Sequence, residues 1–307
     1  MKSEEELLAF FNSNLQSKLE PLEQFRIEKV EMLKKYIYRA FFCSILIALV
    51  ALSKVAILIL ISFFPMFLFL GLAYRTFNEM SSHLTKQFKN KILPELLRFL
   101  FDDHEYIANQ KIAKSVLVKS MLFPSYIANV NGEDFMQFKI GETQIMFSEI
   151  DVKVNNEDVF FHGIFLSASF NKYFTSKTFV LSQRATSASQ KIKRLLFNNF
   201  SKIKLEDNEF NKVFFVLSSD QVEARYILTP SLMQRILNYR RKIKRNISIS
   251  FVENRLYCMV PSNINLFEPA LFEPFDFEFV MRNYNPLKLF TDIVDDLNLN
   301  VRIWSKQ

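Results

Sequence analysis

The sequence predicts an α+β protein: an N-terminal two-helix transmembrane hairpin with helical flanks, followed by a soluble domain of antiparallel strands and two or more helices. Three observations carry that prediction. The apolar run from Tyr36 to Tyr74 holds a single charge, Lys54, between Arg39 and Arg75. Strand-like runs separated by turn residues fill the stretch from Asp134 to Phe170. Two later segments open on a helix-start signal, Thr229-Pro230 and Asn285-Pro286, where a side-chain cap precedes a proline that loses no hydrogen bond in a first turn.

From Ser3 to Lys35 the spacing of Leu8, Phe11, Leu15, Leu19 and Leu22 is helical, and Pro21 is expected to break or bend the segment. Seven acids against six bases between Lys2 and Lys35 argue against attraction to anionic lipid, so this helix is expected to pack on the soluble domain or on its counterpart in another copy, a possible homo-oligomer contact.

A bilayer core about 30 Å thick takes about 20 helical residues. The apolar run from Phe41 to Ala73 is therefore long for one span and short for two. Lys54 decides the reading, because a lysine at the bilayer centre costs at least ~2.5 kcal/mol and a lysine at an interface does not. A hairpin results: one helix from about Ile37 to Leu52, a turn at Ser53-Lys54, and a second helix from about Val55 to Tyr74, kinked at Pro65. Tyr36, Tyr38 and Arg39 sit at the headgroups. Cations crowd both flanks, with Arg26, Lys29, Lys34, Lys35 and Arg39 before and Arg75, Lys86, Lys89 and Lys91 after, which puts both flanks in the cytoplasm. The alternative is a single tilted span from about Val55 to Tyr74, with Phe41 to Leu52 interfacial or re-entrant and the flanks on opposite sides. A signal peptide does not fit, since its apolar core would lie near the start.

Four regions follow: an amphipathic helix over 1–35, the hairpin over 36–75, a helical stalk over 76–106, and a soluble cytoplasmic domain over 107–307. In that domain DFMQFKI, TQIMFSEIDVKV and DVFFHGIFLSASF form a meander with turns at Gly141-Glu142 and Asn155-Asn156-Glu157, and Thr175 to Ser182 is a fourth strand. His162, mid-strand between Phe160 and Ile164, is read as a packed histidine. NKVFFVLSSD is a strand ending at Asp220, and QVEARYIL opens with a charged turn. The helix from Pro230 buries Leu232, Met233, Ile236, Leu237 and Ile243. ISISFV and RLYCMV form a hairpin across Glu253-Asn254. A last helix from Pro286 buries Leu289 or Phe290, Ile293, Val294 and Leu297, and the chain closes on NVRIW.

The chemistry the sequence offers is sparse. Gly71, Gly132, Gly141 and Gly163 are too far apart for a phosphate-cradling loop. Asp102-Asp103-His104 lacks the spacing at which ligands converge on a metal, and three dispersed histidines give no nucleophile its base. No cofactor or metal is expected. Cys43 in a span and Cys258 in a strand form no structural pair, as in a reducing compartment. Net charge is +7, which suits a protein beside an anionic leaflet; no nucleic-acid motif accompanies it.

Two clusters are candidate sites. Asp220, Glu223 and Arg225 are either a recognition motif or a structural ion pair and loop-fixing hydrogen bonds at the helix entry. Arg240, Arg241, Lys242, Lys244 and Arg245 place five cations in six positions at a helix end, more than the helix dipole needs, and are read as a contact for anionic lipid or an acidic partner, or as a solvated face.

The runs LSSDQVEARYILTPSLMQRIL, ENRLYCMVP, LFEPALFEP and DDLNLNVRIWSK, with MLFPSY and GETQIMFSEI upstream, resemble the bacterial membrane-protein family known as domain of unknown function 3137. The resemblance implies a membrane hairpin and a cytoplasmic α+β domain at the bacterial inner membrane, and brings no catalytic residues. The expectation is a membrane-anchored, non-enzymatic protein whose partners are the bilayer and another protein; the alternatives are a lipid-sensing module and an enzyme with a polar pocket.

Overall fold

The structure, a computed structural model, describes residues 2–52, 56–154, 159–169, 173–183, 192, 196, 199–262 and 265–296. It divides into two units. One comprises Lys2–Leu96 with Phe267–Asn283; the other comprises Leu97–Leu266 and the chain from Tyr284.

The first unit is helical. Helix α1 (Glu4–Phe10) starts at a capping box in which Ser3 Oγ accepts from the Glu6 amide and Glu6 accepts from the Ser3 amide. A π-helical turn over Phe11–Leu15 leads into α2 (Gln16–Ala51), which continues through Pro21 rather than breaking there. The buried stripe is Leu7 of α1, Phe11 and Leu15 of the turn, and Leu19 and Leu22 of α2, whereas Leu8, expected on it, is exposed. Helix α3 (Ala56–Gln87) runs antiparallel to α2: Phe25 meets the His83 ring at 4.4 Å, Lys29 pairs with Glu79 at 2.9 Å, and Arg39 lies 5.7 Å from the Phe69 ring. The expected turn at Ser53-Lys54 lies outside the described residues.

Along this helix pair the burial pattern inverts. Leu60, Phe64 and Phe41 are 75%, 73% and 63% exposed, and many of their apolar neighbours are exposed too. Soluble monomers rarely expose contiguous apolar patches beyond a few hundred Å². Among the described residues one helical stretch, Leu60–Leu100, is long and apolar enough to cross a membrane, and its most apolar window is only 11% buried.

A second π-helical turn (Phe88–Ile92) precedes α4 (Leu93–Leu100), in whose first turn Pro94 sits. The segment Phe267–Asn283 joins these helices from far along the chain. Its anchor is Arg26, 7% exposed, whose Nε and Nη2 donate to both oxygens of Glu23 at 2.8 and 2.6 Å while Nη1 reaches the Leu271 carbonyl at 3.5 Å. Glu23 also accepts from the Phe275 amide at 3.0 Å. Phe275, Phe277 and Phe279 pack nearby, with Phe11 against Phe277 and Phe88 against Phe279.

The second unit is built on a nine-stranded antiparallel sheet. Its strands are β1 (His104–Ile107), β2 (Asn129–Ile140), β3 (Thr143–Lys153), β4 (Val159–Ser169), β5 (Thr178–Ser182), β6 (Ser201–Ile203), β7 (Phe214–Ser218), β8 (Ser248–Val252) and β9 (Arg255–Pro261). The order across the sheet is β1-β2-β3-β4-β9-β8-β5-β7-β6. The meander β2-β3-β4 and the hairpin β8-β9 match the sequence reading. Its turn at Asn155-Asn156-Glu157 and the closing NVRIW lie outside the described residues.

Helices α5 (Lys114–Lys119), α6 (Asn208–Val213), α7 (Gln221–Ile227), α8 (Pro230–Ile243) and α9 (Phe277–Asp296) complete the fold. Three corrections arise here. NKVFFVLSSD is a strand over Phe214–Ser218 alone, because Asn211–Val213 close α6, whose cap Asp207 accepts from the Phe210 amide. QVEARYI is a helix rather than a turn, because Asp220 caps it, accepting from the Val222 and Glu223 amides at 2.7 and 3.2 Å. The last helix starts at Phe277, not at Pro286: Asp276 accepts from the Phe279 amide at 3.0 Å, and Pro286 lies inside the helix. Helix α8 begins as expected, with Thr229 accepting from the Leu232 amide and its five predicted core residues buried. The sheet's main core gathers Phe123, Phe160, Phe161, Phe165, Phe179 and Tyr257, with Phe123 meeting three of them at 5.5–5.8 Å between ring centres.

Candidate functional site

One face of β3 changes character along its length. Residues 145, 147, 149 and 151 share that face by the two-residue period of a strand. Ile145 and Phe147 are fully buried, and Phe147 packs on Phe138, which stacks on Phe101. The next two positions are Glu149 and Asp151. Register sets Glu149 opposite Glu133 of β2 and Asp151 opposite His162 of β4. Like charges directly opposed across strands are destabilising, so the sheet holds this arrangement at a cost.

These side chains line an open cavity of about 380 Å³, together with Asn109 and Asn265. Its floor is Ile150, which is in register with Gly132 on one side and Gly163 on the other. A methyl on Gly132 would stand 2.3 Å from the Glu149 carbonyl oxygen; one on Gly163, whose φ is +144°, would stand 2.4 Å from the Val260 carbonyl oxygen. Both glycines thus allow a close backbone approach that any side chain would disturb. A bulge after Glu133 shapes the rim: Asp134 takes a left-handed φ of 57° and its Oδ1 accepts from the Tyr106 hydroxyl at 2.7 Å. Burial, then the Asp134 charge, pushes the Tyr106 phenol far up.

Glu149 is 5% exposed and accepts from the Leu266 amide at 2.8 Å. Burial pushes its carboxyl above the ordinary value near 4.5; the Leu266 amide offsets part of this, Glu133 and Asp134 push it further up, and His162 pulls it down. Asp151 Oδ1 is enclosed and accepts no hydrogen bond in the structure. His162 is half-buried and lines the cavity wall. Among the described residues no group of three His, Cys, Asp or Glu side chains is placed to hold a metal ion. What the cavity offers is three acidic side chains and, in Asp151 Oδ1, one enclosed acceptor without a hydrogen bond, complementary to an ammonium or guanidinium group.

Because the folded chain favours the protonated Glu149, this carboxyl contributes full stability below the ordinary value near 4.5, and that contribution is lost as pH rises through its raised folded value. Glu149→Gln, neutral at every pH and still able to accept from Leu266, is expected to melt higher than wild type at pH 7. The gap is expected to close below about pH 4.5. Thermal melts across that range check this, and a variant less stable than wild type at pH 7 contradicts it.

The two clusters singled out in the sequence are built differently from this cavity. Glu223 and Arg225 do not pair with each other. Glu223 accepts from the Thr175 amide, the Thr175 hydroxyl and the Ser176 amide at 3.1, 3.0 and 2.5 Å, while Arg225 donates to the carbonyls of Gln221 and Lys204. With Asp220 as the helix cap, Glu223 fixes the loop before β5 to the entry of α7, and Arg225 ties α7 to the chain just after β6.

Of the five cations, Arg241 pairs with Glu209, Lys242 with Asp292 at 2.5 Å, and Arg240 donates to Asn246 at 3.3 Å. Lys244 is the left-handed residue that ends α8, and it and Arg245 are exposed. Three of the five cations therefore already have partners within the unit. Cys258 is fully buried, and burial pushes its thiol up to about 12, which leaves it unreactive as a nucleophile.

Residues 159–299 match the model of the family described as "Protein of unknown function (DUF3137)". Curated proteins give no match. The crystal structure of the mycobacterial trehalose monomycolate transport factor A, TtfA, is similar over 63% of this chain and 88% of its own, at a TM-score of 0.34 and 8% identity. At that distance the likeness carries no argument.

Proposed function

We propose that this chain, which carries the DUF3137 domain over residues 159–299, is a membrane-anchored, non-enzymatic protein that holds a partner protein at the cytoplasmic face of the bacterial inner membrane. Helices α2 and α3 form the anchor, both crossing the bilayer, and the sheet unit stands in the cytoplasm. Support for the anchor comes from the exposed apolar surface of both helices and from flanks rich in lysine and arginine.

The observation that carries the binding role is the cavity lined by Glu133, Glu149, Asp151 and His162. Charge opposed across neighbouring strands and an unspent acceptor are costs that a bound cation would relieve. The partner presents a lysine or arginine side chain there. A carbodiimide, which joins a carboxylate to an amine with no spacer, tests this in native membranes. Adducts from Glu133 or Asp151 to a lysine of one partner are expected, and they disappear in Glu133→Gln/Asp151→Asn. Adducts confined to carboxylates outside the cavity, such as Glu142, contradict the reading.

One observation favours the enzyme reading instead: a carboxyl raised by burial beside an imidazole is the pairing a proton-transfer site uses. On that reading Glu149→Gln abolishes turnover of a small substrate. On the adaptor reading it leaves partner capture within about ten-fold, since Glu133 and Asp151 remain.

A further inference from the structure

Where the apolar helices meet their charged flanks, α2 and α3 leave a cleft of about 300 Å³. Its walls are Leu33 and Ile37 from α2 and Ala73, Tyr74 and Phe77 from α3, and Phe272 closes one side by stacking on Phe77 at 6.3 Å between ring centres. Leu33 and Ala73 are buried in its floor, whereas Tyr74 and Phe272 stay 70% and 64% exposed. The charged side chain in the wall is Lys34.

We propose that this cleft binds an acyl chain of an anionic membrane phospholipid, with the lipid phosphate on Lys34. The inference rests on the membrane-anchor reading and adds a specific ligand to it. Three features select this occupant. The cleft is continuous at Ile37 and Tyr74 with the exposed apolar surface of the helix pair, so a chain lying against that surface can enter it. Lys34, Lys35, Arg39 and Arg75 flank it, no aspartate or glutamate occurs between Glu31 and Glu79, and Glu273, beside Phe272, is paired with Arg282, so the net local charge favours a phosphate. The volume is at the small end of ligand sites and suits part of one chain rather than a whole lipid.

Phe272 gives the site a built wall. It belongs to the repeated LFEP of 266–269 and 271–274, and the Glu23–Arg26 pair holds that segment through the Leu271 carbonyl and the Phe275 amide. The cleft therefore depends on a segment more than two hundred residues away in sequence, which a mere gap between two membrane helices would not need.

The test uses the full chain in lipid discs that contain phosphatidylglycerol or phosphatidylcholine carrying a photoactivatable group on the acyl chain. Labelling of Ala73, Phe77 and Phe272 is expected to exceed that of the exposed lipid-facing Phe64, and phosphatidylglycerol is expected to label the cleft more than phosphatidylcholine. Ala73→Trp, which fills the cleft, is expected to abolish cleft labelling and leave labelling of Phe64 intact. Lys34→Glu, an exposed change that spares the apolar walls, is expected to lower the phosphatidylglycerol preference by about five-fold per reversed contact.

Cleft labelling no stronger than at Phe64, equal for the two lipids, or replaced by crosslinks between two copies of the chain overturns the proposal. Retention of the chain in discs, read from Phe64 labelling, keeps failure of the cleft distinct from failure of the anchor.

Discussion

Glu23→Ala is expected to destabilise the helical unit by about 3 kcal/mol and to free the segment 267–283 for proteolysis. Glu23 takes both donors of the Arg26 fork and the Phe275 amide, so its loss strands a guanidinium that is 7% exposed and opens a backbone amide at the same time. The Glu23 bond is also the main cause that raises Arg26 above its ordinary value, against the opposing pull of burial. Breaking a buried pair from one side costs about 3–5 kcal/mol. The lower end applies because the Glu23 side chain keeps 23% of its surface exposed. Glu23→Ala/Arg26→Met is expected to recover most of the loss, since an apolar side chain of similar length removes the stranded charge. Limited proteolysis and thermal melts of the three proteins decide this. A single variant as resistant as wild type shows that the segment is held some other way.

Phe123→Ala is expected to cost about 3–5 kcal/mol in the sheet unit, the range for truncating a buried aromatic. Phe123 is 3% exposed and sits among Phe160, Phe161 and Phe165, so no neighbour can move into the space without leaving its own contacts. The second effect falls on the cavity: β4 carries those three rings and also His162, opposite Asp151. Denaturant melts measure the stability, and carbodiimide labelling of Asp151 reports the cavity. A loss below about 1 kcal/mol shows that the cluster repacks.

Both effects run through contacts of very different legibility. Thr229-Pro230, the hairpin across Glu253-Asn254 and the β2-β3-β4 meander were readable because a cap, a turn pair and a two-residue period are local signals. The charge-poor run from Tyr36 to Tyr74 was readable for the same reason. The helix at Gln221 was masked by its charged residues, which look like a turn until Asp220 is seen as a cap. Pro286 looked like a helix start because proline favours the first turn, yet Asp276 had already begun that helix nine residues earlier.

The cavity was half legible. Glu149 and Asp151 follow Ile145 and Phe147 on one strand face, a visible switch from apolar to acidic at period two. Nothing local pairs Glu133 with Glu149 or His162 with Asp151; that depends on strand register and on a bulge at Asp134. The return of 267–283 to the N-terminal helices carries no local signal at all, since Glu23, Arg26, Leu271 and Phe275 are ordinary residues until the fold brings them together.

The measurement that bears most directly on the anchor is sidedness. Cys43→Ser removes the cysteine of α2, and Cys258 is too buried to react, so single reporters can be placed cleanly. Ser13→Cys, Leu52→Cys and Tyr126→Cys put a thiol on the N-terminal flank, at the end of α2 and in the sheet unit, all at exposed positions. With a membrane-impermeant maleimide, intact spheroplasts are expected to label Leu52→Cys alone, and inside-out vesicles to label the other two. Labelling of Ser13→Cys and Tyr126→Cys from opposite sides would contradict the hairpin and leave a single span.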